Sequence, residues 1–353
     1  MEDTIATLRR VTRNAHLWLP GYLRSRWSRR GLGPPSDVWV TIADHFEPCW
    51  GRPEAAVARQ RVARWRREWP EIAQRHRDSS DRRPCYTFFY PQEEYHPDLL
   101  DPLAEMAGQG IADVEVHIHH DGDGEESFLR RMRGFIETLH LGHGLLRRHR
   151  GQIAFGFIHG NWALDNSRPD GRWCGLNNEI TLLRDLGCYA DFTLPSAPDA
   201  CQTGPVNVVY QVRDDPARPR SHARGSAIVP GGPSVGDLTL IPGPLGLLWS
   251  KGRRGKPRLD TGEIAGQFLP SAERVRLWID VAPRVGSHSF IKLFTHGAQE
   301  KNAAPLLEGG LDRLFEAFRS ECAQRQARLH YVSAWEMWQA VEAARRSDQG
   351  SRK

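Results

Sequence analysis

The chain has 353 residues, of which 39% are hydrophobic and 26% charged, a balance that supplies one large globular core and excludes a disordered or collagen-like polymer. Its formal charge of +5 is accounted for before Asp37, where seven arginines face only Glu2 and Asp3; the body is near neutral and has no basic stripe interleaved with aromatics, which argues against a nucleic-acid partner. Six cysteines without a C-x-x-C pair argue against a zinc ribbon or redox motif, and with no apolar leader or run of ~20 apolar residues the expectation is free thiols in a cytoplasmic protein.

Taken in chain order, residues 1–36 form a basic amphipathic segment in which arginines alternate with Leu17, Trp18, Leu19, Tyr22, Leu23 and Trp27. A helix packed on the domain edge is expected, and the same pattern suits peripheral contact with an anionic membrane at its inner face. After the break at Gly33 to Pro35, Val38 to Asp44 reads as a buried strand and Glu54 to Trp69 as a helix punctuated by Pro70. A strand near Cys85 to Tyr90, a helix from Pro97 to Gly108, a strand at Asp113 to His119 and a helix from Glu125 to about Arg148 repeat the alternation. Strands at Ile153 to Ile158 and Tyr189 to Thr193 flank a helix at Asn177 to Leu186. Pro- and Gly-dense sequence from about 195 to 270 reads as a hairpin and loop insertion. Regular order resumes with a helix at Ser271 to Val281, a strand at Phe290 to Thr295, a helix at Gly309 to Gln326, a strand at Leu329 to Val332 and a closing helix through Trp335 to Ala344; residues 345–353 are expected to fray. About seven strands with helical crossovers predict a parallel sheet closed or nearly closed into a barrel spanning residues 37–344, with an open doubly wound sheet as the alternative; either way active residues belong at strand C-terminal ends.

Four strand ends are rich in chemistry-bearing side chains: Asp44-His45-Phe46-Glu47, His117-Ile118-His119-His120-Asp121-Gly122-Asp123, Thr295-His296-Gly297 and His159-Gly160-Asn161-Trp162. Period-two geometry puts His117 and His119 on one strand face, and imidazole with carboxylate suits zinc or a related first-row ion. A single histidine of this kind more often serves a structural network; three histidines and two aspartates within seven residues favour metal. Planar and aromatic groups from His159 onward, including Asn161, Trp162 and Asp165, suit a glycan surface, whereas Trp65, Trp69, Trp278 and Trp338 on helices read as core anchors.

At these residues the chain resembles the polysaccharide deacetylase family of carbohydrate esterases, related to the nodulation chitooligosaccharide deacetylase. Thr41-Ile42-Ala43-Asp44 is similar to its Thr-Phe-Asp-Asp motif, Glu115-Val116 leading to His119 and Asp123 to its His-x-x-x-His motif, and Leu293-Phe294-Thr295-His296 to its late Leu-His motif. The resemblance implies a distorted (β/α)7-type barrel, a divalent ion, zinc first, held by Asp44, His119 and Asp123 with His117 as a further ligand candidate, and a glycan substrate bound near His159, Asn161, Trp162 and Asp165. Ala43 stands where the family has its catalytic base, which leaves His45 or Glu47 for that role, with His296 as the acid that protonates the leaving amine.

The expected activity is metal-dependent deacylation of an acylated sugar. Three rivals stand beside it. His117-x-His119 is similar to the metal pair of amidohydrolase barrels; Ala43 suits an inactive barrel that binds glycan or a partner protein; and paired carboxylates such as Asp44 and Glu47 suit a metal-free glycosidase.

Overall fold

The computed structural model describes residues 12–249 and 257–347. The chain forms a mixed α/β unit around a mostly parallel sheet. Helix α1 (Ala15–Ser28) precedes β1 (Asp37–His45), α2 (Ala55–Arg75), β2 (Tyr86–Pro91), α3 (Pro97–Gly108), β3 (Ala112–Ile118) and α4 (Glu125–Glu137). Then come β4 (Arg147–His149), β5 (Gln152–His159), α5 (Glu179–Asp185), β6 (Cys188–Asp191), β7 (Tyr210–Val212), β8 (Ser226–Ala227), β9 (Leu238–Leu240), β10 (Gly246–Trp249) and β11 (Pro257–Asp260). The chain continues through α6 (Ala272–Val281), β12 (Arg284–Val285), β13 (His288–Thr295), α7 (Glu300–Pro305), α8 (Leu311–Gln324), β14 (Arg328–Tyr331) and α9 (Ala334–Arg346).

The main sheet runs β12-β13-β1-β2-β3-β5-β6-β9-β7-β8, and β14 pairs with the first half of β1. Contacts from β13 across to β9 are parallel, while β12, β7 and β8 are antiparallel edges. Against the closed barrel of the sequence reading, the hydrogen-bonded ladder among the described residues ends open at β12 and β8. The chain beyond β9 nevertheless reaches β13: a Cβ on Gly243 would overlap the Lys292 carbonyl, so only glycine permits that approach.

Alternation along β1 sets the two layers. Val38, Val40 and Ile42 pack beneath the helices with Val62, Trp65, Trp69, Leu314 and Phe315. Trp39 and Ala43 belong to the opposite, inner layer with Phe89, Ile158, Phe192 and Phe290, which α9 covers with Met337, Ala340 and Val341. Ser333 and Glu336 form a reciprocal capping box that fixes the start of α9.

Several boundaries differ from expectation. Pro70 does not end α2, because it forfeits only the bond to the carbonyl one turn back while Ile72 and Ala73 beyond it are still buried. The helix expected as far as Arg148 stops near Gly142, and residues 147–149 instead form β4, turned onto β5 through Arg150 and Gly151, both at positive φ. The segment expected as a hairpin and loop insertion carries the antiparallel pairs β7–β8, β7–β9 and β10–β11, and it also extends the main sheet, since β9 joins β6. Helix α1 lies on the domain edge as expected: Trp18 packs with Val206 and Leu245, and Asn207 Nδ2 donates to Ser25 Oγ at 3.4 Å. The start of the basic segment, residues 1–11, and the end of the tail, residues 348–353, lie outside the described residues. Among the described residues, no helix is long and apolar enough to cross a membrane.

Candidate metal centre

Five side chains meet on the inner layer at the C-terminal ends of β1, β3 and β13: His45, Glu47, His117, His119 and His296. Ligand atoms of Glu47, His117 and His119 lie within 4.8 Å of one another, as do those of His45, Glu47 and His296. Glu47 is the hub, its Oε1 3.5 Å from His117 Nε2 and 3.6 Å from His119 Nε2. The ring centroids of His45 stand 5.1 Å from His117 and 4.8 Å from His296.

The outer nitrogens of both β3 imidazoles are already committed. His117 Nδ1 sits 2.8 Å from the Ile158 carbonyl, and His119 Nδ1 sits 2.5 Å from Glu93 Oε1. Each outer nitrogen faces an acceptor and so carries the proton, and in the neutral rings the inner Nε2 atoms are then lone pairs turned toward a carboxylate. His117 Nε2 and His45 Nε2 are buried with no hydrogen-bond partner. Convergent lone pairs backed by outer acceptors are the arrangement of histidine metal ligands, so the residues present fit a divalent ion.

Burial opposes ionisation of Glu47, yet contact with His117 and the surrounding imidazoles holds its carboxyl below the ordinary value. Burial, reinforced by His296 and His117, pushes His45 well below the usual imidazole value, so it is neutral. Burial likewise lowers His296, opposed by Glu47. For His119 burial is outweighed by Glu93, which raises it.

The cluster opens on one side. His296 and Phe294 line a cavity of about 350 Å³ together with Trp162, Asp199, Glu263 and Arg13. The larger cavity bordered by Arg218 and Arg224, about 930 Å³ in volume, carries none of these histidines.

Two ligands implied by the family resemblance lie elsewhere. Asp44 follows Ala43 on the strand and therefore faces the helix layer: its Oδ1 accepts from the Gly297 N–H at 2.7 Å and its Oδ2 from the Tyr86 hydroxyl at 3.0 Å. Burial raises its carboxyl to about 7. Asp123 is bound by Arg131 and lies 3.2 Å from His120 Nδ1. Of the glycan-contact candidates, Trp162 alone lines the cavity. His159 points to the helix layer against His120, with 2.8 Å between their Nε2 atoms. Asp165 is fully buried and accepts the Ser221 N–H at 2.6 Å, and Asn161, in a left-handed conformation, turns its carbonyl toward Cys201.

Sequence reading missed Glu93, although it follows β2 at the same sheet end as the other clusters and the strand-end rule applies to it. It also missed Cys174 and Glu179, which join His159 and the His120 of the β3 strand-end cluster in a second group. Compared with known proteins, the chain matches no family model and no curated protein.

Proposed function

We propose that the chain is a metal-dependent hydrolase that deacylates an acylated sugar, a divergent relative of the polysaccharide deacetylases with their barrel opened at one side. The observation that carries this reading is the convergence of His117 Nε2 and His119 Nε2 on Glu47, each imidazole fixed from behind, beside a cavity bordered by His296. Glu47, His117 and His119 would hold the ion, with zinc best suited to two imidazoles and a carboxylate. When bound, it supplies Lewis-acid polarisation of a carbonyl and a lowered pKa for water.

The remaining roles fall to the chain's own groups. His45 is neutral, buried and without a partner at Nε2, so it can accept the proton of the attacking water in place of the aspartate that Ala43 replaces. His296, half-buried on the cavity wall with its ring centroid 4.8 Å from that of His45, can take up the proton released from the water and deliver it to the leaving amine or hydroxyl. Trp162 offers an aromatic surface to a sugar ring, and Asp199 and Glu263 offer acceptors to its hydroxyls. The paired-carboxylate alternative is disfavoured because both Asp44 oxygens are occupied on the helix side.

Exposed Leu23, Trp27 and Leu32, near Arg24, Arg26 and Arg30 on the edge helix and just after it, suit peripheral contact with an anionic membrane carrying lipid-linked glycan. Vesicle co-sedimentation, with and without anionic lipid, tests that contact.

For the activity, protein purified without chelator is expected to carry zinc or a similar ion and to release acetate from N- or O-acetylated oligosaccharides. His117→Ala and His119→Ala should each abolish acetate release. A wild-type chain that turns over with all metal stripped, or metal-loaded protein inert on every acylated sugar, would overturn the assignment.

A further inference from the structure

On the opposite layer of the sheet from the candidate centre, four buried residues from separate segments converge: His120 after β3, His159 at the end of β5, Cys174 in the following loop and Glu179 in the first turn of α5. Their ligand atoms all lie within 4.8 Å of one another. His120 Nε2 is 2.8 Å from His159 Nε2 and 3.1 Å from Glu179 Oε1; His159 Nε2 is 3.4 Å from Glu179 Oε1, and Cys174 Sγ is 3.4 Å from Glu179 Oε2.

In a neutral, metal-free cluster one buried imidazole nitrogen is left bare beside an acceptor. His159 Nδ1 lies 2.6 Å from the Gly160 carbonyl and must carry the proton, so its Nε2 presents a lone pair. His120 Nδ1 faces Asp123 Oδ2 at 3.2 Å; with the proton there, His120 Nε2 presents a second lone pair to the first and to Glu179. With the proton on Nε2 instead, the bare Nδ1 would face a carboxylate. His120 Nδ1 is indeed buried with no hydrogen-bond partner, and a cation between the groups would let the ring turn its proton toward Asp123. Cys174 Sγ takes two backbone N–H groups, from Asn166 at 3.3 Å and Leu176 at 3.5 Å, and its thiol donates to Glu179 Oε2 at 3.4 Å, so loss of that proton to a cation would leave a thiolate ligand already held in place. Thiolate and carboxylate would neutralise a divalent ion, and two imidazoles complete a tetrahedral donor set. The Gly160 carbonyl fixes the His159 ring from outside, and Asp123 Oδ2 stands 3.2 Å behind His120 Nδ1.

We infer that His120, His159, Cys174 and Glu179 form a second, structural site for a borderline-soft divalent ion such as zinc. The soft sulfur and the imidazoles disfavour magnesium or calcium, and complete burial of all four residues leaves no open position for substrate. Its function is to hold the loop between β5 and α5. Asn161, Trp162, Asp165, Asn166 and Trp173 in that loop all adopt positive φ without being glycine, a costly backbone that persists only where its surroundings hold it. Through this loop the site positions Trp162 on the wall of the cavity. The inference does not depend on the hydrolase reading.

Cobalt(II) titration of the full-length protein after chelator stripping tests it. The expected result is a thiolate-to-cobalt charge-transfer band in the wild type. Cys174→Ser should abolish that band with loss of one metal equivalent, whereas His117→Ala should leave it intact. Limited trypsin digestion provides a readout apart from the spectrum: cleavage after Arg172 should rise by about tenfold or more when metal is removed from the wild type. Cobalt uptake by the wild type without the band, a band that survives Cys174→Ser, or tryptic cleavage after Arg172 that is unchanged by stripping would overturn the inference.

Discussion

Asp44 separates two accounts of the same motif. If it were the metal ligand that the family resemblance implies, Asp44→Asn would strip metal while leaving the fold intact. The structure instead makes it a latch: one oxygen accepts from Gly297, the residue after His296, and the other from Tyr86, while the Gly297 carbonyl accepts from Trp65 Nε1 at 2.8 Å. Asparagine preserves most of this, its carbonyl taking the Gly297 N–H and its amide donating to a rotated Tyr86 hydroxyl. The expected cost is about 1 kcal/mol. Alanine leaves two buried donors without acceptors, at about 1–3 kcal/mol each, so about 2–6 kcal/mol in all. Urea unfolding gives the stabilities, and elemental analysis of folded protein gives the metal. The expected pattern is metal retained in Asp44→Asn, with stability falling in the order wild type, Asn, Ala. A stable Asp44→Asn chain that has lost its metal would refute the latch.

Other expectations follow from the same geometry. A Cβ on Gly160 would overlap the His119 ring and the Ile118 carbonyl, so Gly160→Ala should displace His119 and weaken metal retention at least tenfold, roughly the effect of losing a ligand's support, as measured by competition with a chelator. Lys292 is buried with no hydrogen-bond partner for Nζ, and burial drives it down to about 7 against the pull of Asp191; Lys292→Met should therefore stabilise the chain by about 1–3 kcal/mol in denaturant titration. Burial would raise Asp37, but hydrogen bonds from Arg328 and His330 win and lower it to about 2. Because the folded value lies below the unfolded one, its contribution is complete above about pH 4 and is lost as pH falls toward 2; with Arg328 largely exposed, screening reduces it to about 1 kcal/mol. Asp37→Asn should therefore lower stability at pH 7 by about that amount, with the deficit shrinking as pH falls through about 2, as followed by thermal melts.

The period of two was legible in the chain and carried much of the fold. Alternation at Val38 to Ile42 located β1, the recurrence of strand and helix gave a mostly parallel sheet, and the rule that polar residues gather at strand ends picked out His45, Glu47, His117, His119 and His296. These are local properties of a chain whose side chains alternate between faces. The tertiary structure alone decided the rest, because it depends on contacts between residues far apart in sequence. Whether Asp44 met metal or Gly297 turned on how β13 runs beside β1, 253 residues away at that hydrogen bond. His119 and His120 are neighbours in sequence yet serve opposite layers, and only the return of β5, the loop carrying Cys174 and the start of α5 with Glu179 gave His120 its partners. The segment holding β7, β8 and β9 was legible as hairpins and loops, but that these strands extend the main sheet was not, because their place is decided by the strands they join.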